Sequence, residues 1–493
     1  MRLRIVCGEA AVNLKGIAKA YLGVLTILGL LMILVPLIDV IYGEPVSIWF
    51  LLTGEALVFI GLLASKIKAP PLATIEALLV AALGWISVSF IGAAVLKLQT
   101  GLPFIDTLFE SVSGFTGTGF TVFVLTGMKH SIIFWRCLMQ WAGELGFVVF
   151  AMVLIPYFYG VAKNLYGVER PVKIEASFYR TAAQLLVIYV ILTFIGTISY
   201  VAAGMNFFDA ICHMMTTIAT GGMSTYDDGY FHIFLKVPLT YIPVFIFMVL
   251  GGMNLYDLYN FTTGRFRALL RSEELKCYIA SLLVISSLVF LSYVFVDKVY
   301  NVWYAFIASF FNNVSGMTTT GFSIGSLAKL SDTTKTIITV GMIIGGMSFS
   351  TAGGIKSFRL LLVLKKFKNM VESLIAPPAI VRPIAVGGRV VSESDISHAM
   401  LFIILHVAAV VTGAILISSQ GYTITDSLFE AASAASCVGL SVGIVAPTAP
   451  MGVKLTIITL MILGRLEYLH LIFLASLVFG KKILILSRSQ AMT

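Results

Sequence analysis

Charged side chains are scarce in this sequence. Asp, Glu, Lys and Arg make up 12% of 493 residues, against about 25% in a soluble globular domain, so a water-soluble fold is excluded. Cysteine is scarce too. Cys7, Cys137, Cys212, Cys277 and Cys437 are scattered with no CxxC pair, which leaves no zinc site and no disulfide framework to read, and they count as small apolar residues. The chain also lacks H-E-x-x-H, a P-loop and a dinucleotide fingerprint, the usual signatures of metalloproteases, nucleotide hydrolases and dinucleotide enzymes.

What the chain has is apolar length. Hydrophobic residues make up 59% and mean hydropathy is +0.99. The runs Ala20 to Ile41, Ile75 to Leu96, Leu185 to Ala203, Ile279 to Val296 and Ala399 to Ile417 each approach the ~20 residues a helix needs to cross a bilayer. They are continuous, whereas a transmembrane β-barrel shows alternating segments of ~10 residues. The expectation is an all-α, multi-pass membrane protein. The first run follows Arg2, Arg4, Lys15 and Lys19 without a small-residue cleavage site, so it reads as a retained helix rather than a signal peptide.

The net charge of +9 does not call for nucleic acid, because the cations are unevenly placed. One set of alternate connections holds the N-terminal tail, Lys66 and Lys68, Lys163 to Arg180, Arg265 to Lys276, Lys356 to Arg389 and Lys481 to Arg488. The other holds only Lys97, Lys129, Lys236, Lys298, Lys329, Lys335 and Lys454. The positive-inside rule then places both termini in the cytoplasm and requires an even number of crossings.

A repeat emerges when four segments are aligned on one glycine: Thr116 to Thr121, Ala219 to Ser224, Thr318 to Ser323 and Ser436 to Ser441. The shared glycines are Gly119, Gly222, Gly321 and Gly439. Two residues later a hydroxyl recurs, as Thr121, Ser224, Ser323 and Ser441, and six residues earlier another, as Ser113, Thr216, Ser315 and Ser433. Nine residues earlier stand Glu110, His213, Asn312 and Glu430, and thirteen earlier Asp106, Asp209 and Asp426, with Ala308 as the exception. Before each turn lies a stretch too short to span, such as Ile105 to Gly114 or Asp426 to Ala435, set between runs that do span. It reads as a re-entrant half-helix, capped near its N-terminus by the Asp.

Two helices per turn, preceded by two near residues 18 to 41 and 48 to 66, make ten crossings. The predicted architecture is four M1-P-M2 repeats (helix, re-entrant pore loop, helix) around a pseudo-four-fold pore, plus two N-terminal transmembrane helices. The expected units are residues 1–70, then 71–165, 166–270, 271–375 and 376–493. Four negative dipole ends converging on one point suit a cation, and glycine alone turns successive carbonyls inward without strain. Close packing of membrane helices also recruits glycine, but it does not account for polar residues at fixed upstream offsets. The expected ion-lining residues are Thr118, Gly119, Gly221, Gly222, Thr320, Gly321, Val438 and Gly439. Two turns also match G-x-S-x-G, at Gly321 to Gly325 and Gly439 to Gly443. That pattern marks a hydrolase only between a strand and a helix, so a transporter without enzymatic activity is the reading over an intramembrane hydrolase.

The second helix of the third copy is broken. Between Gly341 and Gly354 stand Gly345, Gly346, Gly353 and Thr351, all poor helix formers, and unwound backbone at membrane depth belongs beside a cavity. A gate is expected at Gly345, Gly346, Ser348, Ser350, Thr351, Gly353, Gly354, Lys356 and Arg465, the competing reading of the break being a packing kink. Arg465 lies inside the last spanning run, where a charge is costly and is paired or functional. Its candidate partners are Ser348, Ser350 or Thr351 of the loop, or Glu467 nearby. Lys356 either snorkels to the cytoplasmic surface or takes part in gating. Glu55, Arg136 and Glu144 are weaker candidates, assigned to packing or an interface.

These features resemble the Trk/Ktr/HKT superfamily of potassium transporters, and the two extra N-terminal helices resemble its TrkH branch rather than KtrB. Supporting strings are Gly251-Gly252-Met253-Asn254, Arg271-Ser272-Glu273-Glu274-Leu275, Gly353-Gly354-Ile355-Lys356 and Gly464-Arg465-Leu466-Glu467. The resemblance covers the chain from about residue 20 onward. It implies that the four glycines are the selectivity filter, that potassium is the substrate held at the eight ion-lining residues, and that the loop is an intramembrane gate. It further implies a homodimer in a prokaryotic cell membrane and a cytosolic nucleotide-binding ring of the TrkA type. The basic connections, especially Arg359 to Arg389 and Arg265 to Lys276, offer a surface for an acidic partner or simply set topology. Departures from the pattern are Gly117, Gly221 and Cys437-Val438, which make the ring uneven. Sodium permeation and proton coupling are the alternatives; no cofactor is expected.

Overall fold

The structure is a computed structural model describing residues 6–7, 10–11, 13–70, 72, 74–153, 178–375, 383–387 and 389–468. The expected boundary at 165/166 and the basic segment Lys481 to Arg488 lie outside the described residues.

The chain is mostly helical, its only described strands being two short hairpins, Val6–Cys7 with Ala10–Ala11 and Ala385–Val386 with Arg389–Val390. α1 (Leu14–Tyr42) starts at Asn13, whose side chain accepts from Gly16 N, and ends at the left-handed Gly43. α2 (Ile48–Ser65) packs back on it. At the crossing a methyl on Gly29 would overlap the Gly54 carbonyl, and one on Gly54 the Gly29 carbonyl, so the two backbones meet through paired small residues.

α3 (Thr74–Thr100) leads to the short α4 (Phe104–Phe115) and then α5 (His130–Val153). α6 (Phe178–Ala202) and the short α7 (Phe207–Ile218) precede α8 (Tyr230–Lys236) and α9 (Tyr241–Gly251). α10 (Leu255–Thr262) and α11 (Phe266–Arg271) then lead to α12 (Glu273–Phe295). α13 (Val302–Met317), α14 (Asp332–Ile344) and α15 (Ser357–Ile375) follow. α16 (Glu393–Ser418), the short α17 (Ile424–Ala435) and α18 (Met451–Arg465) complete the described helices.

Five described helices are long and apolar enough to cross a membrane: α1, α2, residues Leu79–Thr100 of α3, α12 and α16. Their outer faces stay apolar, with Ile41, Phe59, Val284 and Ile404 exposed, as lipid-facing surfaces are. Shorter apolar stretches are Leu186–Ala202 within α6, α7 and Pro238–Gly251.

The first turns of the short helices correct one expectation. The caps are not the aspartates. Asn206 and Thr423 accept from the backbone N–H of Asp209 (2.8 Å) and Asp426 (3.2 Å), three residues further on. The aspartates sit inside the first turn, favourably placed against the helix dipole, and two of them pair with the lysine of a distant segment. Asp106 meets Lys454 at 2.6 Å and Asp426 meets Lys335 at 2.7 Å. In the third copy, where Ala308 replaces Asp, α13 begins earlier, at an Asn301 cap.

Candidate cation pathway

Each short helix leads into one of the four glycine turns, and the turns share a backbone. Two residues before the shared glycine φ is positive in every copy: Gly117 (70°), Thr220 (48°), Thr319 (56°) and Cys437 (54°). The shared glycine is positive again, at 89°, 73°, 84° and 90° for Gly119, Gly222, Gly321 and Gly439. Two such residues at alternate positions turn the chain in a way that only Gly adopts freely; Thr220, Thr319 and Cys437 are held there under strain. The intervening N–H groups of Thr118, Gly221, Thr320 and Val438 donate to the carbonyls of Ser113, Thr216, Ser315 and Ser433 at 2.8 to 3.0 Å. The residue six places before the glycine thus acts through its backbone in every copy, and in the first also through its hydroxyl, Ser113 Oγ donating to Phe120 O at 2.6 Å.

The four turns close on one another. A methyl on Gly119 would overlap the Gly221 carbonyl oxygen, one on Gly222 that of Thr320, one on Gly321 that of Val438 and one on Gly439 that of Thr118. Each shared glycine therefore lies against the residue before the shared glycine of the next copy, and the fourth copy returns to the first. All eight residues expected to line an ion come together in this ring. Gln140 of α5 breaks its evenness: its Nε2 donates to Gly221 O at 2.6 Å and its Oε1 accepts from Met223 N at 2.9 Å. Nothing in the repeat pattern marks Gln140.

The polar residue nine places before each glycine ties down the segment after the turn. Glu110 accepts from Thr121 Oγ1 (3.0 Å) and Val122 N (3.2 Å), and His213 Nε2 meets Ser224 Oγ at 2.9 Å. Asn312 accepts from Ile324 N (2.7 Å) and donates to Ile324 O (3.0 Å). Glu430 accepts from Ser441 Oγ, Val442 N and Ile444 N at 2.5, 3.1 and 3.2 Å. Arg136 is buried, at 1% exposure, where it pairs with Glu110 at 2.5 Å and donates to Ser224 O at 2.9 Å, joining the first two turns.

α14 stops at Ile344 and α15 begins at Ser357; the interruption between them lies directly against the turns. Gly345 and Gly354 have φ of 73° and 80°. Met347 N donates to Gly252 O (2.9 Å), Leu255 N to Phe349 O (3.2 Å), and Ser357 N back to Gly346 O (2.8 Å). Thr351 Oγ1 lies 3.0 Å from Gly251 O, 3.2 Å from Ile218 O and 3.1 Å from Thr220 Oγ1. Gly353 N donates to Thr319 Oγ1 at 2.9 Å, and a methyl on Gly353 would overlap Ser436 O. The loop thus touches the second, third and fourth turns. Ser348 N donates to Glu274 Oε1 at 2.6 Å, whereas Ser350 Oγ stays within the loop, bonded to Met347 O at 2.6 Å. The string Gly251–Asn254 and Glu274 flank this loop, a relation their separate places in the sequence conceal.

Neither expected partner of Arg465 is found. Its guanidinium pairs with Glu144 at 2.5 Å, donates to Gly143 O at 3.2 Å and lies 5.0 Å from the Trp85 ring centroid. Glu144 also borders the first turn, since a methyl on Gly117 would run into its carboxylate. The pair thus borders the first turn. Glu467 instead takes Arg359 (2.9 Å) and Lys356 (3.6 Å), so Lys356 is ion-paired, at the exit of the loop. Glu55 is exposed and apart from the turns.

Among the described residues no cluster of His, Cys, Asp and Glu could hold a metal ion. Any cation at the turns would meet backbone carbonyls and hydroxyls. Comparison with known proteins agrees with a transport role. Residues 56–482 match the family model of TrkH, a cation transport protein. An uncharacterized cation transporter of Methanocaldococcus jannaschii is 28% identical over 98% of this chain and all of that protein. The Trk system potassium uptake protein TrkH of Salmonella typhimurium is 30% identical over 83% of this chain and 86% of its own length. The fold matches the crystal structure of the potassium transporter TrkH from Vibrio parahaemolyticus with a TM-score of 0.82 at 24% identity, over 95% of this chain and 100% of that one. The family match over most of the chain, together with the 30% identity, shows that this multi-pass membrane protein belongs to the TrkH family of cation transport proteins.

Proposed function

We propose that this protein takes up potassium across a prokaryotic cell membrane through a pore formed by the four glycine turns of a single chain. The ring is the observation that carries the reading. Four turns of one backbone shape, each glycine against the carbonyl before the next copy's glycine, make a pseudo-four-fold ring of oxygens of the kind that replaces a cation's hydration shell. Thr118, Gly119, Gly221, Gly222, Thr320, Gly321, Val438 and Gly439 line it, with potassium as substrate and no cofactor. The repeats then occupy residues 71–165, 166–270, 271–375 and 376–493 after an N-terminal pair of helices, with both termini in the cytoplasm.

The interruption from Gly345 to Gly354 serves as the gate, because it lies against three of the four turns and meets them through single neutral hydrogen bonds that can break one at a time. Lys356 and Arg465 belong to it through the pairs that flank the loop and the first turn. Flux runs down the electrochemical gradient: Glu110, His213 and Glu430, the titratable residues nine places before the glycine, are engaged in holding the segments after the turns. Opening is governed by a cytosolic nucleotide-binding ring of the TrkA type, and the pore subunit works as a homodimer, both on the strength of the family. The test is rescue of a cell that lacks its own potassium uptake, grown in low potassium. Growth with rubidium accumulation supports the proposal, and failure of a correctly inserted protein to rescue rejects it.

A further inference from the structure

Glu274 opens α12, at the start of a long apolar helix, yet it is only 3% exposed. A carboxylate withdrawn from water is costly unless donors replace that water. Its Oε1 accepts from the backbone N–H of Ser348 at 2.6 Å, in the middle of the interruption and 74 residues along the chain. Its Oε2 lies 3.5 Å from Asn254 Nδ2, and Asn254 caps α10 by accepting from Asp257 N at 2.8 Å. One side chain thus reaches both the loop and the Gly251–Leu255 segment on which the loop lies. The other anchors described above join neutral groups, whereas this one ends on a carboxylate, and charge-assisted bonds are roughly twice as strong. Glu273, one residue earlier, engages a different neighbourhood: it pairs with Lys365 of α15 and accepts from Gly387 N at 3.2 Å, as adjacent residues on a helix do.

We propose that Glu274 is a positioning residue of the gate, latching the loop at Ser348 against the Gly251–Leu255 segment and holding the resting pore shut. This rests on residues 345–354 being the gate, and it names the side chain that sets the loop's resting position. Ser348 is 8% exposed. Without an acceptor its N–H is buried unpaired, a penalty that disfavours the closed arrangement against any arrangement in which it meets water.

The test is resting rubidium uptake into liposomes containing the purified full-length protein, with no regulatory partner added. Glu274→Ala is expected to raise resting flux about tenfold, the worth of one hydrogen bond to a charged group. Glu274→Gln, whose amide oxygen still accepts, raises it less, and Glu273→Gln stays at the wild-type level. A chain shortened within residues 345–353, which removes Ser348, conducts at a raised level, and adding Glu274→Ala to it changes nothing further. A role in general stability would instead lower flux in both backgrounds. Wild-type flux in both Glu274 variants, with raised flux in the shortened chain, overturns the latch and leaves the gate standing. No rise in the shortened chain removes the gate and the latch with it. A rise in Glu273→Gln equal to that in Glu274→Ala, or an added rise in the double variant, assigns the effect to charge at the helix end and overturns the proposal. Glu274→Gln keeps the test decisive where Glu274→Ala fails to fold.

Discussion

Gly119 offers the sharpest perturbation of the ring, as Gly119→Ser. At φ 89° any side chain is strained by about 1–2 kcal/mol, and the added Cβ meets the Gly221 carbonyl oxygen well inside contact distance. To regain an ordinary C···O separation of ~3.3 Å, that oxygen must retreat by on the order of 1 Å, which widens the ring at one of four sides. Discrimination between two cations falls about tenfold for each 1.4 kcal/mol lost, so a carbonyl withdrawn that far lowers potassium-over-sodium preference by about tenfold or more. The assay is paired rubidium and sodium uptake in liposomes. Gly127→Ser is the control, because Gly127 has φ 83° but nothing near its missing Cβ; it carries the strain without touching the ring. An unchanged ratio in Gly119→Ser, or an equal fall in Gly127→Ser, refutes the reasoning.

Other outcomes follow from single contacts. Thr351→Val removes the hydroxyl bonded to Gly251 O and Ile218 O and raises resting rubidium flux by about fivefold, the worth of ~1 kcal/mol. Arg136→Met strands the fully buried Glu110 and costs about 3–5 kcal/mol, read as a lower unfolding midpoint in detergent; adding Glu110→Gln recovers part of it, because the stranded charge is gone. Lys454→Met breaks the Asp106 pair that joins the fourth copy to the first and lowers the unfolding midpoint without altering cation preference. Gly321→Ser should repeat the selectivity loss of Gly119→Ser, since a methyl there overlaps the Val438 carbonyl.

The elements of the fold were legible where one residue pattern governs them. The long apolar runs fall, to within one residue, inside α1, α3, α6, α12 and α16, and the four short helices end at the four glycine turns, because glycine and its upstream polar partners act within some dozen residues of one another. Even there the aspartates were misassigned. A sequence offset locates Asp426 near a helix start but cannot reveal that Thr423 does the capping while Lys335, 91 residues away, takes the carboxylate. The same limit hid the partner of Arg465: Glu144 stands 321 residues earlier, and only the closure of the fourth copy onto the first brings them together. Gln140 has no counterpart in the repeat, so no periodicity pointed to it. The strings around Gly251 and Glu274 were visible, but their meeting with the loop depends on packing between copies.

The central claim is that the ring of carbonyls selects potassium and passes it without proton coupling. The direct measurement is potassium, rubidium and sodium flux in liposomes under a potassium gradient, with and without a proton gradient. The account predicts potassium and rubidium flux that exceeds sodium flux and is the same in both conditions. Sodium flux equal to potassium, or flux that requires the proton gradient, would contradict it.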